Sequence, residues 1–83
     1  MRHFYIIETS YHGPTNHRGA RVSAKRLDGY GRRVSIPWDH AVDTSENHAR
    51  AARILVEEYD RHRIVGSTDT AKGWGFVVDA FAV

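Results

Sequence analysis

The side chains with the most chemistry to offer are cations on an alternating pattern. Between Ala20 and Leu27, Ala20, Val22 and Ala24 share one face, and Arg21, Ser23 and Lys25 the other. A period of two is that of a half-buried strand. The alternation resumes over 32–38, with Val34, Ile36 and Trp38 set against Arg33 and Ser35, and Asp28-Gly29-Tyr30-Gly31 between the two runs is a hairpin signal. Arg21, Lys25 and Arg33 are therefore expected on one face of neighbouring strands, with Arg18 and Arg26 close by and Tyr5 beside them if the first strand pairs there. Cations that follow phosphates, with a ring that stacks a base, are how several sheet proteins hold single strands. The plain alternative is that a water-facing sheet needs polar side chains and arginine is a good one.

Other groups carry weaker signals. The six histidines could ligate zinc or move protons near neutral pH. None has the close spacing of a metal site, and His48 and His62 stand too far apart on the expected helix to share an ion, so surface and loop histidines explain them as well. The loop Gly13-Pro14-Thr15-Asn16-His17-Arg18-Gly19 could cradle a phosphate on its backbone N–H groups, but it lacks the Gly-Lys-Ser/Thr ending of a P-loop. Asp39-His40 could be a base with its orienting group, although a dipeptide specifies little. Trp74 between Gly73 and Gly75 reads as a packing anchor at a strand start. The sequence thus implies no metal, no cofactor and no catalytic residue.

The elements that must position these residues follow from periodicity and turn chemistry. Residues 3–9 form a first strand, Ser10 to Gly19 a loop, 20–27 and 32–38 a hairpin, and 74–82 a final strand. Pro37 has no N–H for a ladder, so this end of the third strand is at a sheet edge or already leaving the sheet. Asp43-Thr44-Ser45-Glu46 starts a helix expected to reach about His62, with Ala51, Ala52, Leu55, Val56 and Tyr59 as its buried stripe. On its wet side Arg53–Glu57 and Glu57–Arg61 have i,i+4 spacing. Ile64-Val65-Gly66 ends that element, and Ser67 to Gly73 is loop. The expectation is one α+β domain over 1–83, order β-β-β-α-β, a small antiparallel sheet with one amphipathic helix on one face.

Composition narrows the classes. The absence of cysteine excludes disulfides and thiolate metal sites. No apolar run approaches the roughly 20 residues of a membrane span, so the expected location is the cytoplasm, with no membrane partner. Charge is uneven. Residues 1–38 hold seven basic side chains against two acids, +5, whereas 39–83 hold five against eight, −3. The first half suits an anionic partner; the second is too weakly acidic to mimic DNA.

The run Gly13-Pro14-Thr15-Asn16-His17-Arg18-Gly19-Ala20-Arg21-Val22, then Asp39-His40-Ala41, Glu46-Asn47-His48 with Ala51, Ala52 and Leu55, and Gly73-Trp74-Gly75-Phe76-Val77 resembles small uncharacterised proteins encoded by phages and other mobile elements. The resemblance implies a genomic setting, not an activity. With small size and no cofactor motif, it leads to the expectation of a non-enzymatic accessory protein that acts by binding, foremost an anti-CRISPR-like inhibitor of a bacterial host's defence protein or complex. The expected contacts are Arg18, Arg21, Lys25, Arg26, Tyr30, Arg32 and Arg33. The alternatives are a nucleic-acid-binding accessory or regulator using the basic sheet face, a nucleotide-signal sponge, and a small metal-independent ribonuclease.

Overall fold

A computed structural model describes residues 3–80. Its elements are β1 (Phe4–His12), β2 (Arg21–Arg26), β3 (Val34–Pro37), α1 (Thr44–Val56), β4 (Arg63–Asp69) and β5 (Trp74–Asp79). The strands form a single antiparallel sheet in the order β3-β2-β1-β5-β4, and α1 packs across one face, most heavily on β2 and β1. The protein is α+β. The first three strands are the expected meander, β3 is at an edge, as Pro37 allows, and β5 returns to pair with β1.

One strand more is present than the pattern suggests. Arg63–Asp69, read as the end of the helix and a loop, is β4, paired with β5. As an edge strand it is exposed along most of its length, so it shows no alternation to read. Gly66, expected to terminate an element, sits where the register slips between Ile64 and Gly66, a bulge inside the strand. The helix correspondingly stops at Val56 rather than near His62. Glu57, Glu58 and Asp60 would place negative charge at the helix end whose carbonyls are already partly negative. The chain instead turns, with Arg61 at φ 65°, and His62 stacks on Tyr59 with ring centres 4.9 Å apart. Arg53 accordingly reaches back to Glu46 at 2.5 Å and not forward to Glu57. At the other end the expected cap forms: Asp43 accepts the Glu46 N–H at 2.8 Å.

The strand ends also shift. β1 continues to His12 through residues read as loop, while β2 and β3 are slightly shorter than expected. β5 ends at Asp79, short of Ala80, and residues 81 and 82 of the expected extension lie outside the described residues.

Helix and sheet close on Ile7, Val22, Ala24, Val34, Phe76 and Val78 from the strands, and on Ala51, Ala52, Leu55 and Val56 from α1. Tyr5 belongs to this covered face, contrary to the expectation that it joins the open one. It pairs with Val78, its hydroxyl bonds His62 Nδ1 at 2.9 Å, and the Arg26 guanidinium lies 3.7 Å from its ring centre. His48, expected on the surface, is buried in this layer. Thr9 Oγ1 is 2.7 Å from its Nδ1, and its ring stacks on Trp74 at 5.0 Å and 7°. The neighbouring Asn47 is fully buried. Its amide donates to the carbonyls of Asp39 and Asp43 at 2.9 and 3.1 Å and accepts the Asp39 N–H at 2.8 Å, pinning the chain that enters the helix.

Two outcomes follow. Leu55 is completely buried at the centre of the helix contact. Leu55→Ala should therefore cost about 2–5 kcal/mol, read as a lowered denaturant midpoint. The pKa of His48 is held below its usual 6.5 by burial. An unfolded chain takes up this proton near pH 6.5 while the folded chain refuses it, so stability should fall as pH drops below about 6.5. The Asp28 and Asp43 carboxyls, both held below 3.8, stay ionised over the first part of that range. Urea midpoints measured between pH 7.5 and 5 should show the decline, and His48→Gln should make it shallower, the remainder coming from His12 and His62, whose pKa values burial also lowers.

Candidate anion-binding site

The face that α1 leaves uncovered is polar over β2 and the second half of β1, whereas Phe4, Ile6 and Val77 occupy its other end. Register places Glu8 opposite Lys25, Ser10 opposite Ser23 and His12 opposite Arg21, with Ser35 of β3 opposite Ser23. Arg33, one residue before β3, reaches across two strands. Its Nη2 donates to His12 Nε2 at 3.0 Å and to Ser23 Oγ at 3.2 Å, while Ser23 Oγ and His12 Nε2 are 2.8 Å apart. A guanidinium has only donors, so His12 Nε2 must accept. The ring proton then sits on Nδ1, and the Ser23 hydroxyl donates to Nε2 while accepting from Arg33. Burial, then the positive charges of Arg33 and Arg21, holds the His12 pKa below 6.5, and the ring is neutral at pH 7.

A pocket of about 180 Å³ lies over this triad, walled by Glu8, Ser10, Lys25 and Lys72. Lys72 comes from the β4–β5 turn, closed by reciprocal backbone bonds between Thr70 and Gly73. That turn can lean on β1 because residue 73 is glycine: a Cβ there would stand 2.2 Å from the Thr9 carbonyl oxygen. Arg21, beside His12 on the same face, has its Nε buried without a hydrogen-bond partner among the described residues. The arrangement offers several donors and one carboxylate to a small polar guest. Among the described residues no three His, Asp or Glu side chains converge as a metal site would require.

The seven expected contact residues separate into three places. Arg21, Lys25 and Arg33 share the open face. Arg18 is in the exposed loop, whose turn is tied by Thr15 Oγ1 accepting the Arg18 and His17 N–H groups. Arg26, Tyr30 and Arg32 lie at the hairpin, where Arg26 forms a bidentate pair with Asp28 (3.0 and 2.6 Å) and Arg32 pairs with Glu58. Tyr30 stays 71% exposed. The Asp39-His40 pair is structural on its acid side, since Asp39 accepts the Ala41 N–H at 2.9 Å and faces Arg50.

His12, Ser23, Glu8 and Lys72 were not singled out from the sequence as a site. The parity of β1 would have placed Glu8, Ser10 and His12 together had the strand been extended past Thr9. Lys72 carries no local signal, because the composition of 67–73 is that of a polar loop.

Comparison with protein families, curated proteins and solved structures gave no match for this chain. No described helix is long and apolar enough to cross a membrane.

The His12 environment gives a direct check. With Arg33 removed, one of the two charges that depress the imidazole is gone, so Arg33→Ala should raise the His12 pKa. The C2–H chemical shift followed against pH by NMR reads the change, and an unmoved titration would mean that the Arg33 contact does not form.

Proposed function

We propose that the protein binds nucleic acid, holding the sugar–phosphate backbone against the open sheet face through Arg21, Lys25 and Arg33. The observation that carries this reading is the contrast between two sets of cations. Those of the hairpin are paired with acids of the same chain: the Arg26 side chain is only 10% exposed against Asp28, and Arg32, itself largely exposed, is paired with Glu58. Those of the open face have no carboxylate bonded to them among the described residues; Lys25 and Arg33 line a polar pocket that also holds Glu8, and Arg21 stands beside it, opposite His12. Phosphates are the anions that a row of such cations fits. Phe4, on the same face and 48% exposed, gives a base a ring to stack on at the far end of β1.

A second reading, the inhibitor of a host defence protein, is favoured by the hairpin tip. Tyr30 and Leu27 are 71% and 50% exposed there on a turn that Asp28 stiffens by accepting the Tyr30 N–H at 3.1 Å. A tyrosine on a rigid support is a good anchor for a protein partner. Relief of phage restriction that is lost on Tyr30→Ala would support it.

For the nucleic-acid reading, affinity for a short single strand should fall steeply with salt. The three cations give a log–log slope of about −2 to −3. Arg21→Glu combined with Arg33→Glu should abolish binding and leave the circular dichroism spectrum unchanged. Unaltered affinity in that variant, or no binding at ~50 mM salt, would remove the reading.

A further inference from the structure

The pocket is more enclosed than backbone tracking requires. Its floor is the Ser23–His12–Arg33 network, with Ser23 only 5% exposed, and Lys25 and Lys72 stand at its rim. At about 180 Å³ it has the room of several waters, enough for a phosphoryl group. Its charge is also specific. Lys25, Arg33 and Lys72 contribute three positive charges and Glu8 one negative, a sum of +2 with His12 neutral. An internal phosphodiester carries one negative charge, whereas a phosphate monoester carries about 1.5 to 2 near pH 7. A site of net +2 attracts a dianion about twice as strongly as a monoanion, and Glu8, 6% exposed and opposite Lys25, weakens the attraction for both.

We propose that this pocket takes the terminal phosphate monoester of a nucleic-acid strand, whose following nucleotides lie along the open face. Arg33 presents donors to the phosphoryl oxygens from the floor, Lys25 and Lys72 close on them from the rim, and the sugar and base remain outside the pocket. The proposal rests on the reading that the open face binds nucleic acid, and it adds which part of the strand is recognised.

The test compares one single-stranded sequence ending in a 5′-phosphate, a 3′-phosphate or hydroxyls at both ends, with a nucleoside 5′-monophosphate as competitor. One of the phosphorylated strands should bind about tenfold more tightly than the hydroxyl-ended strand, a margin that charge-assisted bonds to a dianion readily supply. The readout is that ratio, so a general loss of affinity does not imitate the effect. Ser23→Ala, a minimal change in the pocket floor, and Lys72→Gln, in an exposed turn, should each bring it towards one. Equal binding of all three strands overturns the terminal-phosphate assignment and leaves the nucleic-acid reading standing. Absence of binding to any strand removes both. A monophosphate that competes as strongly as the end-phosphorylated strand assigns the pocket to free nucleotides and overturns the strand-end proposal.

Discussion

A single helix has to serve a sheet with two faces, and most of the structure depends on that. α1 has 13 residues and is therefore about 20 Å long, close to the width of five strands spaced about 4.8 Å apart. It can cover one face and no more. The covered face takes the apolar half of β2 and β3, and the other half of those strands consists of side chains that tolerate water. The cations of β2 and Arg33 are on the open face for the same reason that Val22, Ala24 and Val34 are under the helix.

The helix is seated by polar groups as well as apolar ones. Asn47 satisfies the backbone of the loop that precedes it, and His48 bridges Thr9 to the layer formed by Trp38 and Trp74. A buried polar group is tolerated when its partners are fixed, and a fixed set of partners defines one arrangement of helix on sheet. Beyond the helix, Tyr5, Arg26, Tyr59 and His62 gather the hairpin, the first strand and the chain leading into β4. Gly31 belongs to this cluster, since a Cβ there would meet the Tyr59 hydroxyl at 2.3 Å.

Arginines of the same half of the chain thus reach different ends. Arg26 and Arg32 complete the fold by meeting Asp28 and Glu58, whereas Arg21 and Arg33 stay on a face with little to neutralise them. A positive half-chain by itself predicts attraction to anions. The distribution of acids around it decides which cations remain available, and in this molecule that favours the sheet over the hairpin.

What could be read directly was whatever depends on neighbours in the chain. Two alternating runs, the Asp28-Gly29 turn, the Asp43 cap, the edge position allowed by Pro37 and the Ala51-Ala52-Leu55 stripe all rest on contacts or dihedral limits a few residues long. Tertiary structure decided the rest. β4 is a strand because β5 offers it a partner, not because its own side chains alternate. The helix ends early because Tyr59 and His62 stack and join the hairpin cluster. Tyr5 faces the core because it shares the parity of Ile7 and Thr9, a choice that the adjacent apolar pair Ile6-Ile7 leaves open in the sequence and that packing under the helix decides. The pocket needs His12, Ser23, Arg33 and Lys72 from four separate segments, brought together by strand register and by a glycine that lets one turn rest on a neighbouring backbone. Sequence spacing sets the face on which a side chain stands; only pairing between distant strands sets what stands next to it.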